Sequence, residues 1–176
     1  MRIIAGKHRG RVLKEFKGRD IRPTADRAKE AIFNILQTEI SGSEFLDLFS
    51  GTGNIGIEAL SRGADKVTFV DSSKESVSLI RQNLGMIKET AEVVFTEAES
   101  FVRSCGRKYD IIFLDPPYAD NAKDLIAEIA ARRLIKDDGV IIYEHSGDSA
   151  GGIDGLEIKD VRKYGVATFD FYVYGD

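Results

Sequence analysis

Asp115-Pro116-Pro117-Tyr118 closes the apolar run Ile111-Ile112-Phe113-Leu114. Each proline fixes its own φ and removes an N–H, and Pro116 biases Asp115 toward an extended conformation. The turn is therefore stiff and offers acceptors, chiefly the Asp115 carboxylate and the Pro116 carbonyl. An amino group is the complementary ligand. The exocyclic amine of a nucleic-acid base is a poor nucleophile because its lone pair is conjugated with the ring. Two acceptors on its N–H groups would pull the nitrogen toward tetrahedral geometry and aim the lone pair, a gain from orientation and fixed dipoles. Tyr118 can stack on the base, an interaction worth about 1–3 kcal/mol, which suits a base that has left its helix. This chemistry needs neither a metal nor a covalent intermediate. Taken alone, the turn reads equally well as a strand terminator with Asp115 capping the next turn.

A second group of residues breaks that tie. Asp47-Leu48-Phe49-Ser50-Gly51-Thr52-Gly53-Asn54-Ile55-Gly56 leads from a strand through a glycine turn into a helix. Gly51, Gly53 and Gly56 satisfy G-x-G-x-x-G, and Asp71, twenty residues after Gly51, is placed to hold ribose hydroxyls. A nicotinamide cofactor fits this much. Asp47 does not suit it, since a carboxylate beside a pyrophosphate is repelled whereas a sulfonium or amino group is attracted. The pattern Asp-x-Phe-x-Gly-x-Gly resembles the first motif of class I S-adenosylmethionine methyltransferases. That resemblance implies cofactor contacts from Asp47, Phe49, Ser50, Gly51, Thr52 and Gly53, with Asp71 and Ser72 at the ribose and Glu97-Ala98 edging the adenine. The tetrapeptide 115–118 likewise resembles the D/N/S-P-P-Y/F/W signature of amino-group N-methyltransferases.

The elements that must position these groups are legible. Phe45–Phe49, Val67–Val70, Val93–Phe95, Ile111–Leu114 and Val140–Tyr143 read as strands buried on both faces. Between them lie segments of helical period: Ser72 and Glu75 have capping-box spacing ahead of Val77, Ile80 and Leu84, and Leu125, Ile126, Ile129 and Ala130 form a later stripe. β-α units in series imply a parallel sheet wrapped by helices. After Tyr143, Leu156–Lys159 and Ala167–Tyr174 read as two antiparallel strands joined through Lys163-Tyr164-Gly165, unlike the all-parallel dinucleotide fold. His145, beside Glu144, either approaches a substrate base or bonds locally. The expected fold is α/β: a mostly parallel seven-stranded sheet ending in an antiparallel pair, with a small N-terminal ribbon and helix. Residues 1–40 are expected to be a basic extension and 41–176 the catalytic domain.

The 176 residues carry a net charge of −4, which alone argues against a nucleic-acid partner. Its distribution reverses that: residues 1–29 hold ten Lys/Arg against three acids, a net of +7, leaving −11 for the rest. A catalytic body with a phosphate-gripping arm has this asymmetry, and so does a solvated basic face. Arg2–Gly6 and Gly10–Leu13 can pair as a ribbon, and Thr24 can cap a helix whose apolar side is Ala28, Ala31, Ile32, Ile35 and Leu36. The single cysteine, Cys105, excludes an intrachain disulfide and fits a reducing cytoplasm. The short apolar runs leave neither an export signal nor a membrane span to expect.

Arg2-Ile3-Ile4-Ala5-Gly6-Lys7-His8-Arg9-Gly10-Arg11, Arg22-Pro23-Thr24-Ala25-Asp26-Arg27, Phe33-Asn34 and Gly56-Ile57-Glu58-Ala59-Leu60-Ser61-Arg62-Gly63-Ala64 together resemble the RsmD family almost end to end. The resemblance implies methylation of a guanine N2 in 16S ribosomal RNA, on an assembled or partly assembled small subunit, by a cytoplasmic monomer. It implies RNA contacts from Lys7, Arg9, Arg11, Arg22, Thr24 and Arg27. Competing readings are an adenine-N6 or cytosine-N4 DNA methyltransferase, disfavoured by the lack of a large recognition domain, and a non-catalytic RNA-binding protein, disfavoured by intact Asp115 and Tyr118.

Overall fold

The computed structural model describes residues 1–16, 23–117, 122–147 and 149–175, without the side chains of 23–25. The order is α1 (Pro23–Ile35), β1 (Glu44–Leu48), α2 (Asn54–Ser61), β2 (Lys66–Asp71), α3 (Lys74–Ile87), β3 (Glu92–Phe95), α4 (Ala98–Ser104), β4 (Tyr109–Leu114), α5 (Ala122–Ala131), β5 (Ile135–His145), β6 (Leu156–Tyr164) and β7 (Ala167–Tyr174). The strands form one seven-stranded sheet, β3-β2-β1-β4-β5-β7-β6. β1 to β5 are parallel, and β7 runs antiparallel to both β5 and β6. Strand order reverses between β1 and β4, where the carboxyl ends of an open α/β sheet leave a ligand crevice.

One hydrophobic cluster joins α1, α2 and α3 to one face of the sheet, and a second joins α4 and α5 to the other. Ile3 and Leu13 of the N-terminal ribbon lie in the first cluster with Phe33, Phe45 and Phe69. The ribbon forms as its sequence predicts, with Ile3 N–H donating to Arg11 O at 3.0 Å and Gly10 N–H to Ile3 O at 2.8 Å. No helix among the described residues is long and apolar enough to cross a membrane.

Several local expectations are corrected. α1 starts at Pro23, so Thr24 lies inside the first turn; the proline occupies the first helical position, where its missing N–H is harmless. The buried face of α1 is Ala28, Lys29, Ile32 and Phe33, while Ile35 is exposed. Ser73, not Ser72, caps α3, accepting from Ser76 N–H at 3.3 Å. β3 is an edge strand with Phe95 exposed, not one buried on both faces. β6 continues through Tyr164, so the turn to β7 is Gly165-Val166. For His145 the structure shows the second of its two expected placements, local bonding: it stacks on Tyr143 at 4.9 Å and donates from Nδ1 to Gly147 O at 2.9 Å, and it borders neither cavity of the crevice. The reason is that β5 extends two residues beyond Tyr143, and strand alternation then turns Glu144 and His145 to opposite faces.

Candidate active site

Two adjoining cavities open at the switch point. One, of about 540 Å³, is lined by Asp47, Gly51, Thr52, Asp115 and Glu144 together with Lys29 and Asn54. The other, of about 620 Å³, is lined by Asp71, Ser72, Ser76, Ala98 and Pro117. Phe16, Phe49, Gly51 and Asp115 border both.

The glycine loop is shaped by its own residues. Phe49 has φ 59, Gly51 φ 54 and Gly53 φ 78; the glycines adopt this left-handed region without strain, and Phe49 is held there against its preference. Ser50 stitches the loop to β2, its hydroxyl donating to Asp47 O at 2.6 Å and accepting from Val70 N–H at 3.0 Å. Gly53 caps α2 rather than lining either cavity. Asp71 accepts from Gly51 N–H and Ser73 N–H, each at 2.8 Å, and so fixes the two loops on either side of its cavity. Its remaining lone pairs are suited to hydroxyl donors.

Asp47 is 2% exposed, and among the described residues its carboxylate accepts one hydrogen bond, from Gly56 N–H at 3.0 Å. Burial, the largest influence, raises its carboxyl to about 8, with Asp115 and Asp71 adding to the rise and the Gly56 bond opposing it. A buried acid short of partners that borders a cavity is completed by a cationic ligand. Asp115 sits where the cavities meet, exposed at their mouth, and crowding by protein atoms raises its carboxyl to about 6. Burial and then Asp115 raise Glu144 to about 8.

Other predicted site residues fall differently. Glu97 precedes α4 without a side-chain capping bond and borders a separate 170 Å³ cleft with Pro116, Pro117 and Phe49. Tyr118, Arg22 and the Thr24 side chain lie outside the described residues. In the arm, Lys7 pairs with Glu89 at 2.7 Å, and Arg11 Nη1 donates to Met86 O at 3.1 Å. Arg9 and Arg27 are exposed and their side chains make no ion pair or hydrogen bond among the described residues.

Three residues that sequence reasoning missed hold the arm to this site. Glu58, fully buried, accepts from Ile4 N–H at 2.9 Å, Ala5 N–H at 3.0 Å and Arg62 Nε at 2.8 Å. Lys29, also buried, lies 3.3 Å from Glu58 and donates to Asn54 Oδ1 at 2.7 Å and Arg2 O at 2.8 Å. Asn83, fully buried, accepts from Lys14 N–H at 2.8 Å and donates to Thr52 O at 3.3 Å in the glycine loop. A polar residue within a helix carries no local sign of such long-range partners. Glu144 had a sign, its place at the carboxyl end of a parallel strand.

The family described as Conserved hypothetical protein 95 matches residues 1–173. The chain is 39% identical over 154 residues to Ribosomal RNA small subunit methyltransferase D of Haemophilus influenzae, covering 84% of this chain and 80% of that one. To the Escherichia coli K12 protein of the same name it is 36% identical over 145 residues, covering 82% and 71%. The solved structure of yhhF from Escherichia coli superposes with a TM-score of 0.89 at 29% identity, covering 99% of this chain and 97% of that one. By the extent of these matches and the shared fold, the chain belongs to the RsmD family.

Proposed function

We propose that this protein methylates the exocyclic N2 amine of a guanine in 16S ribosomal RNA of the small subunit, using S-adenosylmethionine. The observation that carries the reading is the convergence of Asp47, Asp71 and Asp115 from three strand ends on two joined cavities. S-adenosylmethionine supplies an electrophilic methyl on a sulfonium. Asp47 and the loop 49–52 hold its methionine part, Asp71 and Ser72 its ribose, and Ala98 the edge of its adenine. Asp115 and the Pro116 carbonyl accept the two N–H groups of the amine and aim its lone pair across the junction. The nitrogen that gains a methyl must shed a proton, and Asp115, with its carboxyl near 6, is the adjacent acceptor. Tyr118 stacks on the base. Residues 1–40 grip RNA phosphates through Arg9 and Arg27 in particular, and residues 41–176 do the chemistry.

The substrate class follows from the family and the basic arm, and the names of the related proteins favour ribosomal RNA. The test is labelled methyl transfer to small subunits lacking the modification, followed by nucleoside analysis. N2-methylguanosine is expected; methyl on adenine or cytosine overturns the guanine assignment. Asp115→Ala is expected to keep S-adenosylhomocysteine binding and lose transfer, and full transfer by that variant overturns the mechanism.

A further inference from the structure

We propose that Glu144 is the residue that recognises the base, its carboxyl oxygen accepting the N1–H of the guanine whose N2 amine Asp115 holds. This rests on the guanine reading. β4 and β5 are parallel neighbours with Leu114 opposite Tyr143, so Asp115 and Glu144 leave the two strands side by side. Phe113 and Ile142, two residues earlier on each strand, face the same core cluster, and alternation returns both acids to that side, where they border one cavity. Glu144 also sits opposite Phe169 of β7, and Tyr164 and Phe169 give that cavity an aromatic flank.

The chemistry of the three candidate amines decides what fits. In guanine the amine-bearing carbon lies between N1–H, a donor, and N3, an acceptor, so one side of the amine offers a second donor. In adenine and cytosine the atom beside the amine-bearing carbon is an unprotonated nitrogen, an acceptor. Two carboxyl groups side by side present acceptors to adjacent positions of the base edge. Guanine answers both with donors. Whichever way Glu144 is protonated, one of its oxygens accepts N1–H, and the neutral form adds an O–H for O6. Burial and the neighbouring Asp115 hold the Glu144 carboxyl up to about 8, as expected of a group awaiting a donor. Asp47, Lys29, Glu15, Tyr164 and Met1 with its amino terminus are the other titratable groups bordering this cavity among the described residues. Among the described residues no hydrogen bond or ion pair accounts for the Glu144 carboxyl, whereas that of Glu58, within α2, accepts three.

The test compares wild type, Glu144→Gln and Glu144→Ala in methyl transfer to unmodified small subunits, with S-adenosylhomocysteine affinity measured by calorimetry on the same preparations. The glutamine amide keeps an acceptor for N1–H and a donor for O6, so its kcat/KM for guanine is expected within tenfold of wild type. The alanine variant is expected to fall about a hundredfold, the scale of one hydrogen bond to a charged group. Cofactor affinity should stay within twofold in both, which also shows that the variants fold. Transfer by Glu144→Ala within twofold of wild type overturns the proposal while leaving guanine methylation intact. A parallel loss of cofactor affinity overturns it too, by placing Glu144 in the cofactor site. Wild-type methylation of adenine or cytosine would sink both this proposal and the reading beneath it.

Discussion

Gly56 and Phe69 meet so closely that an ideal Cβ on the glycine would lie 2.3 Å from the Phe69 ring. The third glycine of the loop therefore serves the packing of α2 on β2. That approach also brings Gly56 N–H within 3.0 Å of the Asp47 carboxylate. In an open helix interior Gly→Ala gains about 1 kcal/mol. Here overpacking opposes it by about 1–3 kcal/mol. Gly56→Ala is expected to lower stability in urea and to weaken cofactor binding, because the amide that steadies Asp47 is displaced. A variant at least as stable as wild type would mean that Phe69 yields.

Asp47 sets a pH dependence whose direction is fixed. Its carboxyl titrates near 3.8 when free and about 8 in the fold. Between those values the folded state holds a proton that the unfolded state has released. Stability therefore falls as pH rises from about 4 to about 8. Asp47→Asn is expected to flatten that part of the curve and to raise the melting temperature at pH 8. It should also weaken S-adenosylmethionine binding about ten- to a hundredfold, by removing one charge-assisted contact. Melting curves from pH 5 to 8.5 with calorimetry check both, and an unchanged pH slope in the variant would assign the titration to another group.

The parts of the fold that could be read in the sequence are those whose burial leaves a local pattern. β1, β2 and β4 are covered on both faces by helices, so Phe45–Leu48, Val67–Val70 and Ile111–Leu114 carry runs unbroken by loops or turns. The start of β5 leaves no such pattern because Lys136, Asp137 and Asp138 are polar and only Ile135 is buried there. The extension of β6 leaves none because both its faces are largely exposed and a register shift falls between Ile158 and Asp160. In the site, Asp47, Asp71 and Asp115 were legible because each lies at or next to the carboxyl end of a strand. Glu58 and Asn83 were not, since the arm backbone that each one bonds lies more than fifty residues away in the chain.

Glu58 makes a sharper test of the arm than any of its cations. Removing its carboxylate strands the Lys29 ammonium, which is 3% exposed, and leaves the Ile4 and Ala5 amides unpaired. Breaking a buried pair in this way typically destabilises by about 3–5 kcal/mol. Glu58→Ala is expected to melt well below wild type, with the amides of Ile4 and Ala5 losing protection in hydrogen exchange. Protection at those two positions equal to wild type would show that the ribbon holds without the carboxylate.

The arm's positive charge is unevenly available, which ranks its residues for RNA binding. Lys7 is already paired with Glu89, and Arg11 donates to the Met86 carbonyl. Arg9 shares their turn without such a partner among the described residues, and Arg27 is exposed on α1. Phosphate contacts act through free charge and release counterions, so each one lost lowers the salt slope of binding by about 1. Arg9→Glu is therefore expected to raise KM for small subunits more than Lys7→Glu, because the Lys7 charge is already partly neutralised by Glu89, which His8 Nε2 also bonds at 2.6 Å. Neither change should alter S-adenosylhomocysteine affinity, because neither residue borders the cofactor cavities. Steady-state transfer at two salt concentrations reads the difference. Equal effects of the two substitutions would mean that the Glu89 pair opens when RNA binds, and would remove this ranking.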